Sequence, residues 1–395
     1  MVHSLPLLAS WGFVFSGIQS VYKIGILHST SGPYAAIGRD CRDGADFAIA
    51  QCRKVMPSLV EPVHVDPAGS LKGYVEGAIS LLRDMGCRHI IGTVTSAARK
   101  EILPIVEKHD GLLWYTCPYE GFEANANVIY TGACPNQHLI PLFDYLLPRY
   151  GKRPYLAGAN YVWGWEMNRL ARELIAAADG EILGERYLPI EETSVDRLVS
   201  EIERLRPSFV LNNLIGPSSY AFLAAMHELA LRNPDFSPEI CPVVSCDLTE
   251  CELENLGPDD GVGHLSAACY FDHPSLTRDL PVLTAFRHTY GTERRLSSIF
   301  AASHAAATLC IAAIHAAGTD EPLAVRQHLY STTTETILGP LRVDPDTHHA
   351  ALPFHLGRIN RDRGFDVMAS RPAIVADPYL TAQRSPRRPR LRVVS

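Results

Sequence analysis

The residues best suited to chemistry lie where short apolar runs give way to amphipathic ones. Val94-Thr95-Ser96 follows the run His89–Val94 and opens a helical pattern. At a helix N-terminus the Ser96 hydroxyl and the unpaired backbone N–H groups converge on one spot, although Thr95 or Ser96 serves equally as a simple cap. Tyr115-Thr116-Cys117-Pro118-Tyr119-Glu120-Gly121 follows Leu112–Tyr115, and Asn160-Tyr161-Val162-Trp163-Gly164-Trp165-Glu166 follows Pro154–Ala157. His28–Tyr34 and Asn212-Asn213-Leu214 hold the same place after two further runs. These loops carry hydroxyls, amides and rings but few charges. Such a lining suits a small neutral polar ligand, with polar groups for its hydrogen bonds and rings for its apolar faces.

Competing chemistries find less support. Cys117 is a nucleophile by type, but no general base stands beside it, so it reads as a pocket-lining thiol. Cys241, Cys246 and Cys251 are spaced by five, unlike zinc loops. His348-His349 beside the turn Asp344–Thr347 reads as a solvated pair. No GxxxxGK[ST], G-x-G-x-x-G, G-x-S-x-G or HExxH occurs, so no nucleotide, metal or cofactor is expected.

The elements that position these loops alternate. Strand runs Val21–Leu27, Pro62–Val65, His89–Val94 and Leu112–Tyr115 are separated by helical patterns over Arg39–Val55, Leu71–Met85 and Ala97–His109. After Gly132 the alternation restarts, with helices Leu139–Tyr150, Glu166–Ala178, Val195–Leu205 and Tyr220–Leu231 between strands Pro154–Ala157, Leu183–Tyr187, Phe209–Leu211 and Pro242–Ser245. Helices Pro281–Tyr290 and Ile299–Ala317 and the short strands Leu341–Val343, Phe354–Ile359 and Phe365–Met368 follow. This predicts an α/β fold of two doubly wound, parallel-sheet lobes joined by a hinge, with ligands beyond the carboxyl ends of the strands. The expected division is 1–20 as a leader, 21–132 plus about 272–335 as one lobe, 133–271 plus about 336–380 as the other, and 381–395 as a basic tail.

Composition narrows the function. The 395 residues carry 36 Lys+Arg against 43 Asp+Glu, a net charge of −7, which argues against direct nucleic-acid binding. Ten cysteines, none in a CxxC, read as buried thiols in a reducing compartment, so a cytoplasmic location is expected. The alternative is periplasmic. Leu5–Phe15 has the length of a signal-peptide core but lacks a basic segment before Lys23 and an A-x-A site. Ile299–Gly318 barely reaches spanning length and reads as a buried helix.

Ser96 with Arg99-Lys100, Tyr115 through Glu123, Pro135-Asn136-Gln137, Tyr161 through Asn168, Gly339–Val343 with His348-His349, and Asp377-Pro378-Tyr379 together resemble a known family. It comprises the AmiC-like amide receptors, negative regulators of aliphatic amidase expression, and the related urea and short-chain-amide receptors of ABC importers. The resemblance spans roughly residues 21–380. It implies a type I periplasmic-binding-protein fold, lobes that close on an amide, and no catalysis. Ser96, Tyr115 and Tyr161 match pocket positions of the family, and Val94, Thr95, Cys117, Pro118 and Trp163 complete the expected ligand-binding set. Cys117 stands where the amidase regulator has Thr, Val94 and Trp163 where it has Tyr, and Thr116 where the family usually has Pro. The changed shape puts acetamide itself in question, and Trp163 and Trp165 suggest a larger or flatter amide. The implied function is a ligand-responsive regulator of amide catabolism, with an RNA-binding antiterminator as partner. The alternatives are an importer receptor that docks on a permease and, more remotely, a Cys-dependent amide hydrolase. The resemblance also implies a homo-oligomer.

Overall fold

Short runs rich in Ile, Val, Leu and aromatic residues, buried on both faces, are the mark of parallel strands covered by helices, and the chain supplies them in two series. The computed structural model describes residues 21–277 and 281–382. The leader segment 1–20 and the tail arginines from Arg384 onward lie outside the described residues. In the first series β1 (Tyr22–Leu27) leads through α1 (Ala35–Val55) to β2 (Val60–Val65), and α2 (Leu71–Ile79) leads to β3 (His89–Gly92). Then α3 (Ser96–Lys108) leads to β4 (Leu112–Tyr115) and β5 (Val128–Tyr130). The five strands form one parallel sheet in the order β2-β1-β3-β4-β5.

The second series runs α4 (Leu139–Tyr150), β6 (Tyr155–Ala159), α5 (Val162–Ala177), β7 (Gly184–Leu188), α6 (Asp196–Leu205), β8 (Val210–Asn213), α7 (Pro217–Arg232), β9 (Val243–Ser245), α8 (Glu250–Leu253) and β10 (Leu265–Ala268). The chain continues through α9 (Pro274–Thr277), α10 (Pro281–Tyr290), α11 (Ser298–Ala317), α12 (Pro322–Ser331) and the hairpin β11 (Thr334–Thr336)–β12 (Gly339–Leu341). It ends with β13 (Leu352–Ile359) and β14 (Phe365–Ile374), which complete a seven-stranded sheet ordered β14-β13-β10-β9-β8-β6-β7. Its strands β6 to β10 are parallel, and β13 and β14 add an antiparallel edge. The doubly wound two-lobed plan expected from the alternation is therefore present.

Helix α11 is long and apolar enough to cross a membrane, yet it lies in the first lobe's core with Phe47, Ile91 and Trp114. It can press against α1 because Gly44 has no side chain: a Cβ there would fall 2.4 Å from the Phe300 carbonyl oxygen. A separate core runs through both lobes, from Leu27, Tyr74 and Ile102 past Leu139 and Phe143 to Trp163, Leu211 and Leu356. The lobes are thus closed on one another. The backbone is equally tight where it first leaves the first sheet, since a Cβ on Gly132 would sit 1.8 Å from the Cys117 carbonyl oxygen.

Several expectations are corrected. Helices α1, α5 and α7 begin at Ala35, Val162 and Pro217, three or four residues earlier than the apolar periodicity indicates. The first turns of α1 and α5 reach the cavity through Ile37 and Trp163 and need no core period, and Pro217 is at home at a helix start. The short strands β5 and β10 were not expected, because three or four residues carry no readable period. His348 and His349 are not a solvated pair. His349 is 1% exposed, stacks on Tyr130 with ring centroids 4.1 Å apart, and pairs with the Tyr119 hydroxyl. His348 is partly buried and meets the Tyr330 hydroxyl at 2.7 Å. The adjacent turn is as expected, with Asp344 Oδ1 accepting from the Asp346 and Thr347 backbones.

Candidate ligand-binding site

All eight expected residues (Val94, Thr95, Ser96, Tyr115, Cys117, Pro118, Tyr161 and Trp163) line one cavity of about 30 Å³ between the lobes. Ile37, Ile215, Asp247 and Ile299 complete it. The strand-end rule finds the place because β3, β4 and β6 end there. Applied to β9 it also finds Asp247, two residues past Ser245, which inspection of the other loops missed. The Asn212-Asn213 loop does not contribute. Those amides turn into the second lobe, where Asn213 Nδ2 donates to Asn168 Oδ1 at 2.8 Å and Asn212 Nδ2 to Ser219 Oγ at 2.9 Å. Trp165 also lies outside: it is 48% exposed, and its indole donates to Asn160 Oδ1 at 3.0 Å.

The first lobe's wall is backed by a buried ionic network. Thr95, not Ser96, is the helix cap, its Oγ1 accepting from Ala98 N at 3.2 Å. Ser96 opens α3, and its hydroxyl donates to Glu120 Oε2 at 2.5 Å while accepting from Arg99 Nη1 at 3.2 Å. The fully buried Arg99 also donates to Glu120 Oε1 at 3.1 Å and to Glu123 Oε1 at 2.8 Å, and its guanidinium lies 4.5 Å above the Tyr115 ring. Burial pushes the Glu123 carboxyl up, but Arg99 and Lys100 outweigh it and hold the group at about 2. The same carboxylates hold Arg99 well above its ordinary value although burial works against its charge. The Tyr115 hydroxyl donates to the Val94 carbonyl at 3.2 Å. Ser96 and Tyr115 therefore turn their protons away from the cavity and offer it lone pairs. Cys117 Sγ sits 3.9 Å from Cys41 Sγ, a thiol neighbour rather than a base.

The second lobe's wall is less committed. Tyr161 precedes α5 without a side-chain capping bond. Trp163 is buried, and its indole Nε1 has no hydrogen-bond partner among the described residues. Asp247 accepts from the Ser245 hydroxyl, and burial lifts its carboxyl to about 7 against the pull of that bond. The cavity is thus not free of ionisable groups, as the loop compositions suggested. It holds one carboxyl that burial favours as the neutral acid.

Scale and polarity define what fits. The space between the walls admits a small ligand of a few heavy atoms. A larger groove of about 720 Å³ lies outside it along α1, lined by charged groups such as Arg39, Glu250 and Arg295. Within it Arg294 pairs with Asp40 at 2.6 Å and with Asp43 at 2.8 Å.

Two wound lobes closing a small, mostly apolar cavity with a few polar groups at their strand ends define a bilobal ligand receptor. The chain belongs to the periplasmic binding protein domain family, whose model matches residues 22–385. Solved structures share the fold at low identity. An ABC-transporter solute-binding protein from Rhodopseudomonas palustris, in complex with p-hydroxybenzoic acid, is 18% identical with a TM-score of 0.80, covering 92% of this chain and 100% of its own. An amino-acid ABC-transporter substrate-binding protein from Pseudomonas fluorescens is 20% identical with a TM-score of 0.76, covering 92% and 98%. A leucine-binding protein from Thermotoga maritima is 16% identical with a TM-score of 0.75, covering 89% and 98%.

Proposed function

We propose that this protein is the non-catalytic receptor of an ABC importer for a small neutral amide or urea, which it encloses between its lobes. The observation that carries the reading is the cavity of about 30 Å³, walled by lone pairs from one lobe and unspent polar groups from the other. A primary amide or urea has a few heavy atoms, an acceptor oxygen and donor N–H groups, and so answers both walls. Ser96 Oγ or the Tyr115 hydroxyl accepts one of its N–H groups, Trp163 Nε1 donates to its oxygen, Tyr161 covers it, and Cys117, Val94, Thr95 and Pro118 set the fit. The space suits one- or two-carbon amides better than the larger, flatter ligand that two tryptophans suggest. Binding shifts a hinge equilibrium toward the closed form that a permease would recognise.

Family membership and the importer proteins among its structural relatives support the transport reading over the regulator with its antiterminator. A periplasmic location follows from that reading rather than the cytoplasmic one. N-terminal sequencing of the native protein tests it, with cleavage near residue 20 as the expected outcome. Calorimetric titration of the purified protein with acetamide, urea, butyramide, benzamide and leucine tests the ligand class. Saturable one-site binding of the smallest amides is expected, and heat only with leucine, or with benzoate titrated alongside, would refute it.

A further inference from the structure

Behind the cavity lies a second chamber of about 20 Å³ that shares Pro118 and Ile299 with it and is lined by His138. His138 is 1% exposed, and its Nε2 lies 3.1 Å from the Tyr119 carbonyl oxygen. A carbonyl oxygen only accepts, and burial depresses the imidazole to about 4, so the ring is neutral with its hydrogen on Nε2. Nδ1 is therefore a bare acceptor, buried and without a partner among the described residues. The Trp163 ring lies alongside, its centroid 6.1 Å from that of His138, and carries the unpartnered donor Nε1. Trp163 lines the first chamber and His138 the second, so a buried donor and a buried acceptor, complementary in kind and both unsatisfied among the described residues, stand in adjoining chambers. Buried polar atoms are rarely left unpaired, so such a pair calls for an occupant.

We infer that His138 and Trp163 form a donor–acceptor clamp for the carboxamide group of the ligand, which makes His138 a specificity-determining residue. The ligand oxygen accepts from Trp163 Nε1, and a ligand N–H donates to His138 Nδ1. A carboxylate of the same shape meets the clamp badly, because its second oxygen faces the lone pair of Nδ1. Sites that hydrogen-bond a ligand N–H discriminate strongly against analogues lacking it. The inference rests on the amide-receptor reading and names what that reading leaves open: why amides are taken and carboxylates refused.

The test titrates acetamide and acetate into the wild-type protein, His138→Leu and His138→Asn. The wild type is expected to bind acetamide and not acetate. His138→Leu should bind acetamide about tenfold more weakly, and His138→Asn, which restores an acceptor, should recover part of the loss. In wild type the pyridine-like ¹⁵N resonance of His138 Nδ1 should move upfield on adding acetamide, a response that a purely structural histidine would not give. Wild-type binding of acetamide with unchanged affinity in His138→Leu and an unmoved Nδ1 resonance overturns the clamp but leaves the receptor reading standing. No wild-type binding of any amide overturns both. If His138→Leu fails to fold, the wild-type ¹⁵N titration decides alone.

Discussion

The two walls of the cavity are built on different principles. The first lobe's wall is finished before any ligand arrives: Ser96, Arg99, Glu120 and Glu123 satisfy one another, Tyr115 spends its proton on the Val94 carbonyl, and the cavity sees what is left over. The second lobe's wall is unfinished, with an indole N–H that has no partner and a carboxyl whose burial makes charge costly. The difference assigns work. A satisfied ionic network is rigid and fixes position, whereas unspent hydrogen-bonding groups reward the lobe that swings in to find a ligand. Changes in the first wall should therefore move stability first, and changes in the second should move affinity first.

The largest effect should come from Arg99→Leu, which leaves Glu120 and Glu123 buried without their cation. We expect a loss of about 3–5 kcal/mol in urea denaturation, and wild-type stability would show that the network does not hold the wall. Gly132→Ala should cost about 1–3 kcal/mol by forcing the backbone off the Cys117 carbonyl. It should weaken amide binding as well, because it displaces Cys117, and a variant with intact stability and binding would remove Gly132 from the account. Trp163→Phe keeps the ring and loses only the N–H. It should lower amide affinity by about 0.5–1.5 kcal/mol with little change in melting temperature, and the opposite pattern would erase the contrast between the walls. Ser96→Ala should act like the first wall, costing a similar or smaller amount of stability through Glu120.

Asp247→Asn should give the smallest and most specific signal. Burial raises the folded pKa of Asp247 to about 7 from the ordinary 3.8 of an aspartate, so its contribution to stability is fully present below about pH 4 and is lost as pH rises through about 7. Replacing it should flatten that part of the stability curve, and an unchanged slope between pH 4 and 7 would mean that the carboxyl is not the group titrating.

The alternation of strands and helices makes the fold readable; the strand-end rule marks the loops, and the family resemblance picks out among them the eight residues that line the cavity. The misses have physical causes. Strands as short as Val128–Tyr130 exist because a sheet edge accepts them, which no local pattern records. Asp247 and His138 lie outside the loops that attracted attention by their composition, and only closure of the lobes brings them to the cavity and its neighbour. His349 looked solvated because its turn is polar, while its stacking on Tyr130 is a contact across more than 200 residues. Ser96 was identified as a site residue without its Glu120 bond, which reverses the direction in which its hydroxyl points.

The account turns on the Trp163 indole N–H, and the most direct measurement follows its NMR resonance, assigned with Trp163→Phe, while acetamide is added to the wild-type protein. The account predicts a saturable downfield shift as the indole donates to the amide oxygen. A resonance that stays fixed while acetamide binds, or acetamide that does not bind at all, would contradict it.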